Sequence, residues 1–179
     1  EGVGDGVRAW MKRFASTPID RDAHGVLGLV ADRLACAPEH TRALAAALGE
    51  RIEHIVVEDV GRSAATLAFL REGSSRGRAT LLPRVPRVTP GAAQAGHDRA
   101  RALASEEGVV GRLADLVSAD PADRPLVEHL LGDAVVVDTL ERALALHRSS
   151  GADVELVTLD GARVEPSGGL TGGASDETG

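Results

Sequence analysis

An internal duplication constrains this chain more than any other feature. A shift of 83 residues lays Gly25–Gly49 on Gly108–Gly132 without a gap, and eight of those 25 positions are identical. They are Gly25/Gly108, Val26/Val109, Gly28/Gly111, Ala31/Ala114, Asp32/Asp115, Pro38/Pro121, Leu48/Leu131 and Gly49/Gly132. Beyond a short gap the match resumes, Ile55-Val56-Val57-Glu58 facing Val135-Val136-Val137-Asp138. An alanine-rich bias can match alanines by chance, but not the aligned glycines and prolines that punctuate a backbone. The chain therefore holds two copies of one unit.

Each copy has the same grammar. An apolar segment follows a Gly-x-x-Gly turn, Val26–Leu34 or Val109–Val117. Pro38 or Pro121 then sits where proline is tolerated, in the first turn of a helix. Apolar residues at helical spacing follow: Leu44, Ala47 and Leu48 in one copy, Leu126, Val127, Leu130 and Leu131 in the other. Gly49 and Gly132 come next, suited to left-handed C-caps. The β-branched runs Ile55–Val57 and Val135–Val137 read as buried strands. Second helices are expected over about Gly61–Arg71 and Leu140–Arg148, and closing strands over about Arg78–Leu82 and Val154–Leu159.

This alternation predicts an α/β (α+β) class with mixed sheets in two pseudo-symmetric subdomains, about 6–83 and 108–173. The linker, about 84–107, begins in a stretch rich in Pro, Gly and Ala, and His97–Glu107 is polar enough for a short helix. Val7–Phe14 reads as a helix end and Asp160-Gly161 as a tight hairpin turn. Asp59 and Asp138 are candidate helix N-caps.

Composition narrows the function classes. The 179 residues carry 20 basic and 27 acidic side chains, a net charge of −7, so the whole chain is not a nucleic-acid footprint. Trp10, Phe14 and Phe69 are the only aromatics, too few for a base-stacking platform. Lys12 is the single lysine beside nineteen arginines, a coding bias that suggests a prokaryotic source. One cysteine, Cys36, excludes an internal disulfide, fits a reducing compartment, and reads as a buried small hydrophobe. No apolar run approaches the ~20 residues of a membrane span, and Glu1–Asp5 lacks the features of a signal peptide. The chain opens and closes without a start signal, and reads as a piece of something longer.

Catalysis has no convincing constellation. The histidines at 24, 40, 54, 97, 129 and 147 form no metalloprotease pair and read as exposed or capping residues. No Gly-x-Ser-x-Gly elbow is present. No metal site or cofactor is expected. The strongest local signal is Pro166-Ser167-Gly168-Gly169-Leu170-Thr171-Gly172-Gly173. It admits two readings: a phosphate cradle of a small nucleotide-binding α/β domain, or a place where two backbones approach closely. The absence of a Gly-x-x-x-x-Gly-Lys-[Ser/Thr] pattern favours the second. Gly73 to His97 contains no acidic residue, while Arg76, Arg78, Arg84 and Arg87 contribute +4. That stretch is either a weak phosphate contact or a solvated loop.

Taken in order, Gly6-Val7-Arg8, Gly25-Val26-Leu27-Gly28, Ala46-Ala47-Leu48-Gly49, Gly77-Arg78-Ala79-Thr80-Leu81-Leu82-Pro83, Leu130-Leu131-Gly132, Val157-Thr158-Leu159-Asp160-Gly161 and Thr171-Gly172-Gly173 resemble the hinge domain of bacterial SMC proteins. The likeness covers about Gly6 to Gly173. It departs from the family at Ser167, where glycine is usual, at Gly169, where serine is usual, and at Leu27, often histidine.

The resemblance implies a homodimerisation module of a long coiled-coil ATPase of chromosome condensation and segregation. The domain itself would have no chemistry, since ATP binds on distant heads. Two hinges would pair as a ring-shaped dimer, half one of each chain meeting half two of its partner, and join two coiled-coil arms into a V or ring that embraces DNA. It implies a dimer interface of Gly168, Gly169, Thr171, Gly172 and Gly173 with Arg78, Thr80 and Leu82. Weak, non-specific DNA contact falls to Arg76, Arg78, Arg84 and Arg87. The implied location is the cytoplasm, on the nucleoid.

Overall fold

A computed structural model describes residues 4–72, 77–89, 91, 93–150 and 153–173. In the first copy, α1 (Asp5–Phe14) and α2 (Pro18–His24) precede β1 (Val26–Leu29), α3 (Val30–Arg33) and β2 (Ala35–Cys36). A 3-10 turn at Pro38–His40 opens α4 (Thr41–Leu48); β3 (Ile55–Val57), α5 (Val60–Ser63), a 3-10 segment Ala64–Leu70 and β4 (Leu81–Pro83) complete it. Then come α6 (Gln94–Leu103), β5 (Val109–Arg112), α7 (Leu113–Leu116), β6 (Val117–Ser118), a 3-10 turn Pro121–Asp123, α8 (Arg124–Leu131), β7 (Ala134–Val137), α9 (Leu140–Ser150), β8 (Glu155–Thr158), β9 (Arg163–Val164) and β10 (Leu170–Thr171).

The duplication is visible in the backbone. In both copies the first strand runs antiparallel to the second with one bulge, Val26↔Val57 then Gly28↔Val56, and Val109↔Val137 then Gly111↔Val136. Leu27 and Val110 are the extra residues that such a bulge leaves unpaired. Gly25 and Gly108 enter these strands at φ 62° and 79°, where a side chain is strained. Their carbonyls accept from Glu58 and Asp138 N–H at 2.8 and 2.9 Å. A parallel strand follows on the other side, β4 beside β3 and β8 beside β7. The two copies also meet directly: β2 pairs antiparallel with β6, Ala35 opposite Ser118.

The compact units do not coincide with the sequence copies. One comprises Glu1–Arg33, Glu50–Pro86 and Pro121–Leu126; the other Leu34–Gly49, Arg87–Asp120 and Val127–Gly179. Each thus takes a segment from the opposite copy. α4 packs against β8 of the second unit, burying Ala43, Ala47 and Leu48. An apolar stripe fixes which face of a helix is buried, not which sheet it covers.

The first unit has a three-stranded sheet, β1-β3-β4. Val7, Trp10, Val26, Ile55, Val57 and Leu70 pack on one face. Trp10 is fully buried and its indole N–H donates to Thr66 Oγ1 at 2.9 Å. Phe14 stacks on Trp10 and Phe69, so all three aromatics lie in this unit. The second unit has a five-stranded sheet, β10-β9-β8-β7-β5, with an aliphatic core of Val135, Val137, Leu156 and Val164 under Ala100, Ala143 and Leu146.

Several sequence expectations need correction. The apolar segment Val26–Leu34 divides into β1 and α3. Gly49 has a positive φ of 54° but a ψ of −132°, outside the left-handed helical well. Gly132 has no positive φ; a Cβ there would strike the His97 ring and the Glu128 carbonyl, so space excludes a side chain. Asp59 caps α5 through Gly61 N–H at 2.9 Å. In α9 the cap is Thr139 rather than Asp138, its hydroxyl accepting from Arg142 N–H at 3.2 Å. Cys36 is half-buried in β2.

Candidate association edges

Each of the two larger sheets ends on one side in a strand whose outer edge has no partner among the described residues, β4 in the first unit and β10 in the second. Unpaired strand edges are templates for pairing with another chain. β4 is three residues long and closes with Pro83, which offers no N–H. Its lead-in, Gly77–Thr80, is pinned against α1. A Cβ on Gly6 would strike the backbone of Gly77 and Arg78, and one on Gly77 would strike Gly6, so both glycines permit a backbone crossing. Arg78 and Thr80 are exposed there and Leu82 is half-buried in the strand.

Beyond β4 the chain turns basic and apolar together. Val85 and Val88 are 64% and 56% exposed, with Arg87 exposed between them. Arg84 behaves differently. Its Nε donates to Asp123 Oδ1 at 2.8 Å, while Arg33 Nη2 lies 2.7 Å from Oδ2 of the same fully buried carboxylate. Asp123 belongs to the segment contributed by the second copy, so these arginines secure that segment in the first unit. Arg84 is committed to structure, leaving Arg78 and Arg87 as the exposed described arginines of the stretch. Arg76 lies outside the described residues.

β10 is reached from β8 through two turns. Asp160-Gly161 forms the first, as the sequence anticipates: Thr158 N–H donates to the Ala162 carbonyl at 2.9 Å, and Gly161 N–H to that of Thr158 at 3.0 Å. The Thr158 hydroxyl donates to Asp160, which holds that carboxyl below the usual range. In the second turn, Gly168 N–H donates to Glu165 O and Glu165 N–H to Gly169 O, both at 2.8 Å. The His147 ring, in the last turn of α9, closes on Pro166 O at 3.1 Å.

The strand that follows is bare. Leu170 is 55% exposed, and Thr171, Gly172 and Gly173 are exposed beside it. A Cβ at Gly172 would meet only the Ala162 methyl at 3.7 Å, and one at Gly173 nothing within 4 Å. Space among the described residues therefore does not require glycine at either place, though the φ of 114° at Gly173 favours it. The described tail is a turn and an edge strand, and no helix follows it among the described residues to complete a phosphate cradle.

The sequence reading missed Leu170, Val85 and Val88, three of the five exposed large hydrophobics among the described residues. Their signal is apolar character beside a strand edge, which is visible only once the edge is known. Among the described residues no group of three or more His, Cys, Asp or Glu is arranged to hold a metal ion, and no helix is long and apolar enough to cross a membrane.

Comparison with known proteins agrees with this architecture. Residues 23–147 match the family described as the SMC proteins flexible hinge domain. The chromosome partition protein Smc of Myxococcus xanthus is 35% identical over 176 residues, 98% of this chain and 14% of that protein. Among solved structures, an asymmetric dimer of the Geobacillus stearothermophilus SMC hinge domain superposes with a TM-score of 0.75 at 29% identity, covering 97% of this chain and 66% of that one. The Pyrococcus furiosus Smc hinge domain with an extended coiled coil gives 0.68 at 27%, covering 97% and 59%. This chain thus spans about one-seventh of the curated relative's length. With the same mixed sheets and a match over most of its length, the chain belongs to the SMC flexible hinge domain family.

Proposed function

We propose that this domain joins two copies of its parent chain by pairing open sheet edges. β4 of one copy lies beside β10 of the other, and two-fold symmetry makes a second, equivalent contact, closing a ring-shaped dimer. Gly168, Gly169, Thr171, Gly172 and Gly173 supply one side, Arg78, Thr80 and Leu82 the other. Exposed Leu170 on one edge and Val85 and Val88 beyond the other add apolar area. The observation that carries this reading is the bare β10 edge, where Gly172 has neither a positive φ nor a close neighbour among the described residues to require glycine. The solved Geobacillus hinge relative, an asymmetric dimer, supports the pairing of two copies.

In the parent protein this contact unites two coiled-coil arms into a V or ring around DNA, and ATP turnover belongs to distant heads. The domain performs no chemistry itself and works in the cytoplasm, on the nucleoid. Arg78 and Arg87, with Arg76, give weak, non-specific phosphate contact, expected to fall steeply with salt.

Gly172→Leu tests the edge cleanly, because the chain has room for the side chain and its backbone needs no positive φ. A folded monomer is expected in sedimentation equilibrium, with unchanged far-UV dichroism. A variant that dimerises like the parent chain removes Gly172 from the contact. Gel shifts at low salt should weaken on Arg87→Ala; no shift even in the parent chain at low salt rejects DNA contact.

A further inference from the structure

We infer that His147 is a positioning residue for the association edge, an inference that rests on the dimer reading above. His147 stands in the last turn of α9, the helix that buries Ala143 and Leu146 in the core of the second unit. Its Nε2 lies 3.1 Å from the Pro166 carbonyl. A carbonyl only accepts, so Nε2 carries the proton and donates, in the neutral ring and in the imidazolium alike.

The same ring lies under Gly168. A Cβ built there would come 3.5 Å from His147 Cε1, so the imidazole forms a floor beneath a turn with a φ of 90°. The turn holds itself by the Gly168 and Glu165 amide bonds. Those bonds fix its shape, not its place on the domain. β10 adds only two paired positions, Leu170↔Val164 and Thr171↔Arg163. So short a strand has little strength of its own to hold its direction.

The bond to Pro166 ties this turn to a helix packed in the core. It therefore presents β10 in one orientation before a partner arrives, and pre-organisation of this kind lowers the cost of association. The opposite edge, β4, is the counterpart of β8 rather than of β10. Among the described residues no hairpin follows β4; its lead-in is held by the Gly6–Gly77 crossing, and Arg84 just beyond it by Asp123. The two edges are thus kept in place by different devices.

The test compares dimer dissociation constants of the full chain with His147→Phe and His147→Gln, by sedimentation equilibrium, with amide exchange read on the same samples. Phe keeps a ring under Gly168 and removes the donor; the Gln amide nitrogen restores a donor near Nε2. Expected is a dimer about 25-fold weaker for His147→Phe, about fivefold at each of the two equivalent contacts, the size of one hydrogen bond apiece. Exchange should be faster at Gly168 and Gly169 while β7 amides stay protected, and His147→Gln should return towards the parent. A Phe variant that associates and exchanges like the parent overturns the inference, as does a Gln variant as weak as Phe. The parent chain is the separate arm: if it does not associate at tens of micromolar, the dimer reading itself fails.

Discussion

The two units share a backbone frame and differ in the charge they bury. In the first unit the buried group is an anion, Asp123, between Arg33 and Arg84. In the second, which also buries Glu155, the most deeply buried charge is a cation, Arg112, only 3% exposed, which donates to Asp115 at 2.9 and 3.0 Å, to Glu128 at 2.7 and 3.0 Å, and to the Gly132 carbonyl at 3.2 Å. The Glu128 hydrogen bond chiefly, with Asp115, overcomes the cost of burial and raises the Arg112 pKa. At the matching positions of the first copy stand Leu29 for Arg112 and Ala45 for Glu128. Duplicated glycines preserve the bulge and the turn before it, while the side chains packed on that frame have diverged. Backbone geometry favours glycine at Gly25 and Gly108; a core position admits any group that is packed and paired.

The largest expected effect comes from undoing the second unit's charge. Arg112→Leu removes the buried guanidinium from which Glu128 and Asp115 accept, and should cost about 3–5 kcal/mol. Arg112→Leu with Glu128→Ala imports the first copy's chemistry and should recover most of that loss in denaturant melts. A double variant no better than the single would mean that the network is not separable from the frame. Asp123→Ala should cost somewhat less, about 2–4 kcal/mol, because its arginines are each 23% exposed and reach water. Trp10 fluorescence reports this loss from the first unit, and a Trp10 transition unmoved by the substitution would show that the exchanged segment is held by something else.

A smaller effect separates the paired glycines. Gly25→Ala pays for a positive φ, about 1 kcal/mol, in open space, its nearest neighbour being Arg62 at 3.6 Å. Gly108→Ala pays the same strain and also displaces the Arg142 side chain, 2.6 Å from a Cβ there. Melting of the two variants should rank Gly108→Ala lower, and equal losses would mean that Arg142 gives way freely.

The smallest effect is a pH slope. Burial, with a contribution from Arg51, lowers the His54 pKa below its ordinary 6.5. The folded state then binds fewer protons there than the unfolded state. His54 therefore lowers stability as pH falls through that ordinary value, and is silent well above it. The second copy has Ala134 at the matching place. His54→Ala should flatten the slope of stability between pH 7 and 5, and an unchanged slope would assign it to other groups.

Much of the frame was legible in the sequence, for a physical reason. The aligned Gly25, Gly28, Gly108 and Gly111, read as a turn, lie at a matching bulge in both copies, and the runs Ile55–Val57 and Val135–Val137 are the strands expected of them. The exchange of Leu34–Gly49 and Pro121–Leu126 between units was not, because Ala43, Ala47 and Leu48 form the same stripe whichever sheet they meet. β2, β6, β9 and β10 are two residues each, too short for a period to register. Arg33 meets Asp123 across 90 residues of chain, a distance no local pattern spans. At the proposed association edges the glycine tail drew notice because its residues are unusual in themselves. His147 and Leu170 were not, since their roles depend on a neighbour or an edge.

The mass of the isolated chain in solution bears most directly on the whole account. Sedimentation equilibrium at tens of micromolar should return twice 18.5 kDa, with dissociation on dilution; a species of 18.5 kDa throughout that range would contradict it.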